Sequence, residues 1–210
     1  MFVKQKIFRL SFLLSVPFLF SEPSALMAEE VCKNIALEQA QKDEFSKMQF
    51  WLDHLEAEKG SFSQIDQNGK NTTGSFALQR PDKMRFDYDG KTGIHIIGNE
   101  GKLAYTDPSV GQVTFIPMDK TPLGLLFGKT YGWSGICLQK FTEANNLAEA
   151  TLAQANNPSQ GNITLKFSKD PFQLLGWRVE DMQGGITEIS LEKIKAMKHF
   201  SKNYFQLPTE

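Results

Sequence analysis

Apolar and charged side chains alternate along residues 74–90, and this period of two constrains the fold more than any other feature of the chain. Beyond Pro81, Met84, Phe86 and Tyr88 share one parity, and the opposite parity is charged: Lys83, Arg85, Asp87 and Asp89. Because successive side chains of a strand point to opposite faces, one face here is apolar and aromatic and the other is charged. The pattern predicts an antiparallel sheet with one face in water.

Arg80 breaks this pattern. Phe76, Leu78 and Arg80 share the apolar parity ahead of Pro81. Burying a guanidinium without partners costs several kcal/mol. We therefore expect Arg80 to find hydrogen-bond acceptors at the buried face of the sheet.

Short alternating segments separated by turn residues continue along the rest of the chain. Residues 67–70 (Gln-Asn-Gly-Lys) are typical of a hairpin turn. The inward faces of the later strands are predicted to hold Ile163, Leu165, Phe167, Leu175, Trp177, Val179, Thr187, Ile189 and Leu191. The whole pattern predicts a mainly β fold of about nine to eleven antiparallel strands with two helical segments.

The two helical segments differ in length. The longer one carries an apolar stripe at helical spacing, formed by Phe45, Met48, Leu52 and Leu55. It extends back as far as Val31 on a weaker pattern, and Gly60 is the predicted C-terminal cap. The shorter one is residues 121–128, with Thr121 as N-cap and Pro122 in the first helical position.

The N-terminus is typical of a secretory signal peptide. Three cations, Lys4, Lys6 and Arg9, precede an apolar run over residues 10–20, which is shorter than the roughly 20 residues that span a bilayer. Small residues follow, and we expect cleavage after Ala28, leaving residues 29–210 as one exported domain. An oxidising compartment allows a disulfide between Cys32 and Cys137, with two free thiols as the alternative.

The composition and the lack of recognisable catalytic motifs favour a binding protein over an enzyme. The 23 Lys and Arg against 24 Asp and Glu give a net charge of −1, which disfavours a non-specific nucleic-acid binder. Its 3 histidines have no metal-ligand spacing, and 2 cysteines are too few for a thiolate zinc site. We find no nucleophile elbow around Ser134 and no phosphate loop, so no catalytic residue, metal or cofactor is predicted.

Four short motifs occur in a fixed order along the chain. They are Gly74-x-Phe76-x-Leu78-x-Arg80-Pro81-x-Lys83-x-Arg85-Phe86, Tyr105-x-Asp107-Pro108-x-x-x-Gln112-Val113, Thr121-Pro122-Leu123 and Asp181-x-x-Gly184-x-x-Thr187. Because these motifs occur in the same order in the periplasmic outer-membrane lipoprotein carrier family, the chain resembles that family over roughly residues 45–207. Two departures from the family pattern are Met84, where an aromatic residue is usual, and Phe86, where tryptophan is commoner.

The resemblance implies an incomplete, strongly curved antiparallel β-barrel whose mouth is covered by a lid of helices. Lipoprotein acyl chains would occupy the hollow, and the family's gating arginine falls on Arg80, which would hold the lid closed through main-chain carbonyls. On this reading the hollow is lined by Phe76, Leu78, Met84, Phe86 and Tyr88, with lid contacts from Leu52, Leu55, Leu125 and Phe127. Plain core packing is the alternative role for both sets.

The resemblance also implies partners and a location. A monomer in the periplasm would be loaded by an inner-membrane ABC-type lipoprotein-releasing transporter and unloaded by an outer-membrane acceptor. One alternative is an envelope regulatory sensor that binds lipoproteins or lipids on the same fold. A second alternative is an exported enzyme, which the missing catalytic set disfavours.

Overall fold

Eleven antiparallel strands form one sheet in the computed structural model, which describes residues 32–90, 93–127 and 133–209. The strands are β1 (Ala57–Asp66), β2 (Asn71–Gln79), β3 (Lys83–Tyr88), β4 (His95–Asn99), β5 (Lys102–Asp107), β6 (Gln112–Pro117), β7 (Ile136–Ala144), β8 (Leu147–Gln154), β9 (Gly161–Lys169), β10 (Phe172–Asp181) and β11 (Ile186–Ala196). Their spatial order is β6-β5-β4-β3-β2-β1-β11-β10-β9-β8-β7. The predicted number of strands and their antiparallel pairing are confirmed.

The sheet curves strongly without closing on itself. The rings of Phe86 on β3 and Trp177 on β10 have centroids 5.9 Å apart, although three strands separate β3 from β10 in the sheet. In a flat sheet, four inter-strand steps would hold them roughly 19 Å apart. Strands β6 and β7 are the two ends of the order and do not pair with each other. The result is a half-open barrel with a concave apolar face.

The predicted turn at residues 67–70 joins β1 to β2. The carboxylate of Asp66 accepts hydrogen bonds from the main-chain nitrogens of Asn68 and Lys70 at 2.9 and 3.0 Å. Gly69 has a φ of 75°, a conformation that favours glycine. The predicted hairpin turn is confirmed, and these local contacts stabilise it.

The longer helix, α1 (Gln39–His54), begins later and ends earlier than its pattern predicts. Residues 32–38 are not helical, so the described part of the predicted N-terminal extension is wrong, and Val31 lies outside the described residues. Gly60 is not a helix cap, because it lies within β1. A Cβ atom at Gly60 would lie 2.5 Å from the carbonyl oxygen of Glu192 on β11, so glycine permits the close approach of two strands there.

The shorter helix, α2 (Gly124–Phe127), begins later than predicted. The hydroxyl of Thr121 donates to the Met118 carbonyl oxygen at 2.9 Å instead of capping a helix. A turn over residues 121–124 precedes the helix, and all four residues of α2 are buried. Gly128, the predicted end of this segment, lies outside the described residues.

One inward position on β10 differs from prediction. The register between β9 and β10 shifts between Leu174 and Gly176, which marks a bulge. Because a bulge reverses the parity of the strand before it, Leu174 is fully buried and Leu175 is only partly buried. The expectation that Leu175 faces inward with Trp177 is therefore wrong.

A strap of residues 32–38 fastens the start of α1 to the β7 edge of the sheet. The main-chain nitrogen of Ile35 donates to Leu138 O at 3.0 Å, and Asn34 Oδ1 accepts from Leu138 N at 2.7 Å. Cys32 and Cys137 form a disulfide with their Cα atoms 5.9 Å apart. The signal peptide and its cleavage near Ala28 lie outside the described residues. Neither described helix is long and apolar enough to cross a membrane.

The C-terminal residues cover part of the convex face of the sheet. Phe205 packs with Ala77 and Ile97 in a small buried cluster separate from the main core. Arg85 on β3 donates to the Tyr204 carbonyl oxygen at 3.2 Å, and its guanidinium lies 5.4 Å from the centroid of the Tyr204 ring. The charged face of β3 is therefore partly covered by the C-terminal residues.

Candidate functional site

A cavity of about 650 Å³ opens on the concave face of the sheet, between β3–β6 on one side and β10–β11 on the other. Its apolar wall includes Met84, Phe86, Ile96, Leu103, Trp177 and Ile189. Polar side chains near the β1–β2 turn and the β10–β11 turn form its mouth: Asp66, Lys70, Asp181 and Gln183. This volume lies within the range of about 300–1,000 Å³ that is usual for small-ligand sites.

The five residues predicted for the hollow divide into two groups. Met84, Phe86 and Tyr88 on β3 line the cavity. Phe76 and Leu78 on β2 belong, like Met84 and Phe86, to the main core, but they are not among the residues that line the cavity. Three of the predicted residues thus line the cavity, and two pack in the core beside it.

The lid consists of α1 and α2, which lie over the concave face. Leu52 on α1 and Leu125 and Phe127 on α2 are buried in the same core cluster as Phe76 and Phe86. The Phe127 ring meets Trp177 edge to face, with centroids 6.0 Å apart. Leu55, immediately after α1, is buried outside that cluster. Leu52, Leu125 and Phe127 therefore pack in the core, and the Phe127 ring also contacts Trp177 of the cavity wall.

Arg80 lies between the sheet and the lid. It directly follows β2, its main-chain nitrogen donates to Glu56 O at 3.2 Å, and its Nη1 donates to the carbonyl oxygen of Leu126 in α2. Burial lowers the pKa of Arg80 from its usual value, and the neighbouring carboxylate of Asp53 on α1 opposes this shift. Because arginine still remains charged at neutral pH, its bond to Leu126 is charge-assisted.

Asp53 connects α1 to the segment that precedes β7. Its Oδ2 accepts a hydrogen bond at 3.0 Å from Nε1 of Trp133, in the short 3₁₀ turn that precedes β7. The Trp133 ring in turn contacts Phe45 on α1 edge to face, with centroids 6.0 Å apart. The start of β7, α1 and Arg80 are therefore linked around one carboxylate.

A polar pair interrupts the apolar cavity wall. The hydroxyl of Tyr88 donates to Oε1 of Gln64 at 2.6 Å, and both residues line the cavity. Burial, with a smaller contribution from Tyr105, raises the pKa of Tyr88 to about 12. Sequence reasoning missed Gln64, although it shares the inward parity of Phe62.

Glu58 is an isolated acid on the inward face of β1. It lies directly opposite Leu78 of β2 and therefore shares the face of that core residue. Its Oε2 is buried and has no hydrogen-bond partner among the described residues, and burial raises the pKa of the carboxyl to about 7. Within residues 32–90, 93–127 and 133–209, no group of three or more His, Cys, Asp or Glu side chains could hold a metal ion.

Known proteins resemble this chain in sequence. Residues 53–208 match the family described as Outer membrane lipoprotein carrier protein LolA. An outer-membrane lipoprotein carrier protein from Methylobacillus flagellatus is 28% identical over 63% of this chain and 66% of its own length. A protein of the same description from Leptothrix cholodnii is 30% identical over 54% of this chain and 55% of its own length. The matched region thus spans less than two thirds of either relative.

The similarity to solved structures is weaker. The crystal structure of a LolA superfamily protein from Nitrosomonas europaea covers 80% of this chain and 97% of that chain, with 9% sequence identity and a TM-score of 0.46. The match of residues 53–208 covers most of the chain, and it carries the family assignment without help from this structure.

Proposed function

Because the chain belongs to the outer membrane lipoprotein carrier protein LolA family, we propose that it binds lipoprotein acyl chains in its cavity and carries them across the periplasm. An inner-membrane ABC-type transporter would load it, and an outer-membrane acceptor would unload it. The observation that carries this proposal is an apolar cavity of about 650 Å³ on the concave face, next to a lid that Arg80 ties to the sheet.

The energetics of acyl chains explain why such a carrier is needed. Burial of one methylene is worth about 0.8 kcal/mol, so a palmitoyl chain represents on the order of 12 kcal/mol of transfer from water. Spontaneous passage through an aqueous compartment is therefore slow. A carrier that kept all of this energy as affinity would not release its cargo.

The closed lid supplies the opposing free energy. A charge-assisted hydrogen bond contributes about 1.5–3 kcal/mol, so breaking the bond from Arg80 to Leu126 on opening weakens net binding about tenfold or more. The buried contact between Phe127 and Trp177 adds to the free energy that lid opening costs. In the open form Phe76 and Leu78 would become part of the cavity wall, because the lid residues that cover them would have moved.

The proposal is for binding without catalysis. The cavity wall is mainly apolar, and its few polar side chains are not arranged as a nucleophile with a base within the described part of the chain. A carrier predicts saturable, stoichiometric binding of an apolar ligand that is recovered unchanged. Turnover of an ester substrate would contradict it.

A cavity-filling variant tests the proposal. Val179 on β10 lines the cavity, and its neighbour Arg178 is exposed. We expect Val179→Trp to reduce saturable binding of an environment-sensitive apolar dye at least tenfold, and Arg178→Trp to leave it unchanged. In the native envelope, the wild-type protein should co-purify with lipoproteins identifiable by mass spectrometry, and Val179→Trp should not. Equal dye binding by all three proteins would contradict the proposal.

A further inference from the structure

From Phe62 to Asp66, the inward face of β1 changes from apolar to charged. Phe62 is buried in the core, Gln64 lines the cavity and Asp66 lies at its mouth. Alternate residues of a strand lie on one face, so these three side chains form a line from the core to the mouth. An amphiphile that follows this line would meet hydrocarbon first, then an amide, then a charge.

Gly74 allows a side chain of β3 to reach this line across β2. It lies opposite Phe62 in the β1–β2 ladder and opposite Tyr88 in the β2–β3 ladder. A Cβ atom there would lie 2.6 Å from the Phe62 ring. With that space free of a side chain, the rings of Phe62 and Tyr88 meet edge to face at 5.1 Å, and the Tyr88 hydroxyl reaches Gln64.

The bond from Tyr88 orients the Gln64 amide and leaves its donor group unused. The raised pKa of Tyr88 keeps its hydroxyl protonated at neutral pH, so it donates to Gln64 Oε1. Gln64 Nε2 makes no hydrogen bond with any residue in the described ranges. An amide N–H₂ group beside an apolar wall therefore has donor capacity for a ligand.

We propose that Gln64, held by Tyr88, binds the carbonyl oxygen of an acyl ester, so that the cavity selects acylated glycerol over plain hydrocarbon. This rests on the proposed function and adds a polar recognition element to the same cavity. The acyl chain of the ligand lies against the apolar wall around Met84 and Trp177, and the ester carbonyl accepts a hydrogen bond from Gln64 Nε2. The glycerol portion and the attached residue then lie toward Asp66 and Lys70 at the mouth.

A matched pair of ligands tests this inference without any variant. Monolauroylglycerol and its ether analogue, dodecylglycerol, differ at the carbonyl oxygen and are otherwise alike in chain length and head group. Displacement of a bound apolar dye gives both dissociation constants. One added hydrogen bond predicts that the wild-type protein binds the ester roughly two- to tenfold more tightly than the ether.

Variants locate the preference. Gln64→Leu should remove the preference for the ester while leaving ether affinity within about twofold, and Tyr88→Phe should reduce the preference. Thr187→Val also removes a polar group from the cavity wall and should keep the wild-type ratio. Equal wild-type affinities for ester and ether would overturn the inference and leave the acyl-chain cavity supported. Failure of both ligands to bind would overturn the inference and the proposed function together.

Discussion

Arg80 Nη1 donates a hydrogen bond to the carbonyl oxygen of Leu126, which ties the residue after β2 to α2. The acceptor is a main-chain atom, so the bond depends on the position of α2 and not on the side chain at position 126. Any movement of α2 away from the sheet breaks it. The free energy of lid opening can therefore be changed at Arg80 with little change to the cavity wall.

Replacing Arg80 should separate binding from release. In Arg80→Leu the closed lid loses its charge-assisted bond, so opening costs less and the dissociation constant for cargo falls about tenfold. Transfer of lipoprotein from the purified carrier to acceptor vesicles should slow by a similar factor. The circular dichroism spectrum should stay that of a β protein.

Arg178→Leu is the matched control for this variant, because Arg178 is an exposed arginine on β10. It removes the same charge and should change neither affinity nor transfer. Arg80→Lys keeps the charge but not the planar guanidinium, and we expect an intermediate effect. Unchanged transfer by Arg80→Leu would show that Arg80 does not gate the lid.

Glu58 should make the protein less stable as pH rises. Its carboxyl has a pKa of about 7 in the fold against 4.5 as a reference, so the folded state binds the proton more tightly than the unfolded state. Folding stability is therefore highest below about pH 4.5 for this group and declines as pH rises to about 7. The side chain is only partly buried, so we expect a loss of roughly 1–2 kcal/mol after solvent screening.

Urea unfolding at several pH values measures this effect. Glu58→Gln should flatten the decline between about pH 4.5 and 7, because it removes the group that ionises. Glu56→Gln changes an exposed acid two residues away and should keep the wild-type slope. A wild-type slope in Glu58→Gln would show that other groups cause the pH dependence.

The disulfide between Cys32 and Cys137 should contribute substantially to stability. It joins residues 105 positions apart and fastens the strap ahead of α1 to the start of β7. Protein disulfides typically contribute about 2–4 kcal/mol to the free energy of unfolding. We expect Cys32→Ser/Cys137→Ser to lose this amount in urea unfolding and to become insensitive to a reducing agent. A stability equal to that of the oxidised wild type would contradict the prediction.

Much of the fold follows from local patterns in the sequence. The period of two in residues 74–90 predicts the β2–β3 ladder and places Arg80 on the inward face, where it meets Leu126. These predictions hold because parity along a strand is set by the backbone alone. The helical spacing of Met48 and Leu52 likewise predicts a helix that buries those side chains.

Other features depend on contacts between distant segments. The bulge between Leu174 and Gly176 reverses the parity of Leu175, and no single-strand pattern contains that information. Gly60 resembles a helix cap in sequence, but its position is explained by the approach of β11. The link between Gln64 and Tyr88 crosses an intervening strand, so only the assembled sheet brings the two together.

Tryptophan fluorescence can show whether a bound acyl chain lies in the cavity. The chain has 3 tryptophans, and among them only Trp177 lines the main cavity in the described structure. Trp51→Phe/Trp133→Phe retains Trp177 as the fluorophore, and Trp177→Phe is the matched control. A bromine-labelled fatty acid should quench the first protein saturably and leave the second nearly unquenched. Equal quenching of both proteins, or quenching of neither, would contradict an acyl-chain site in this cavity.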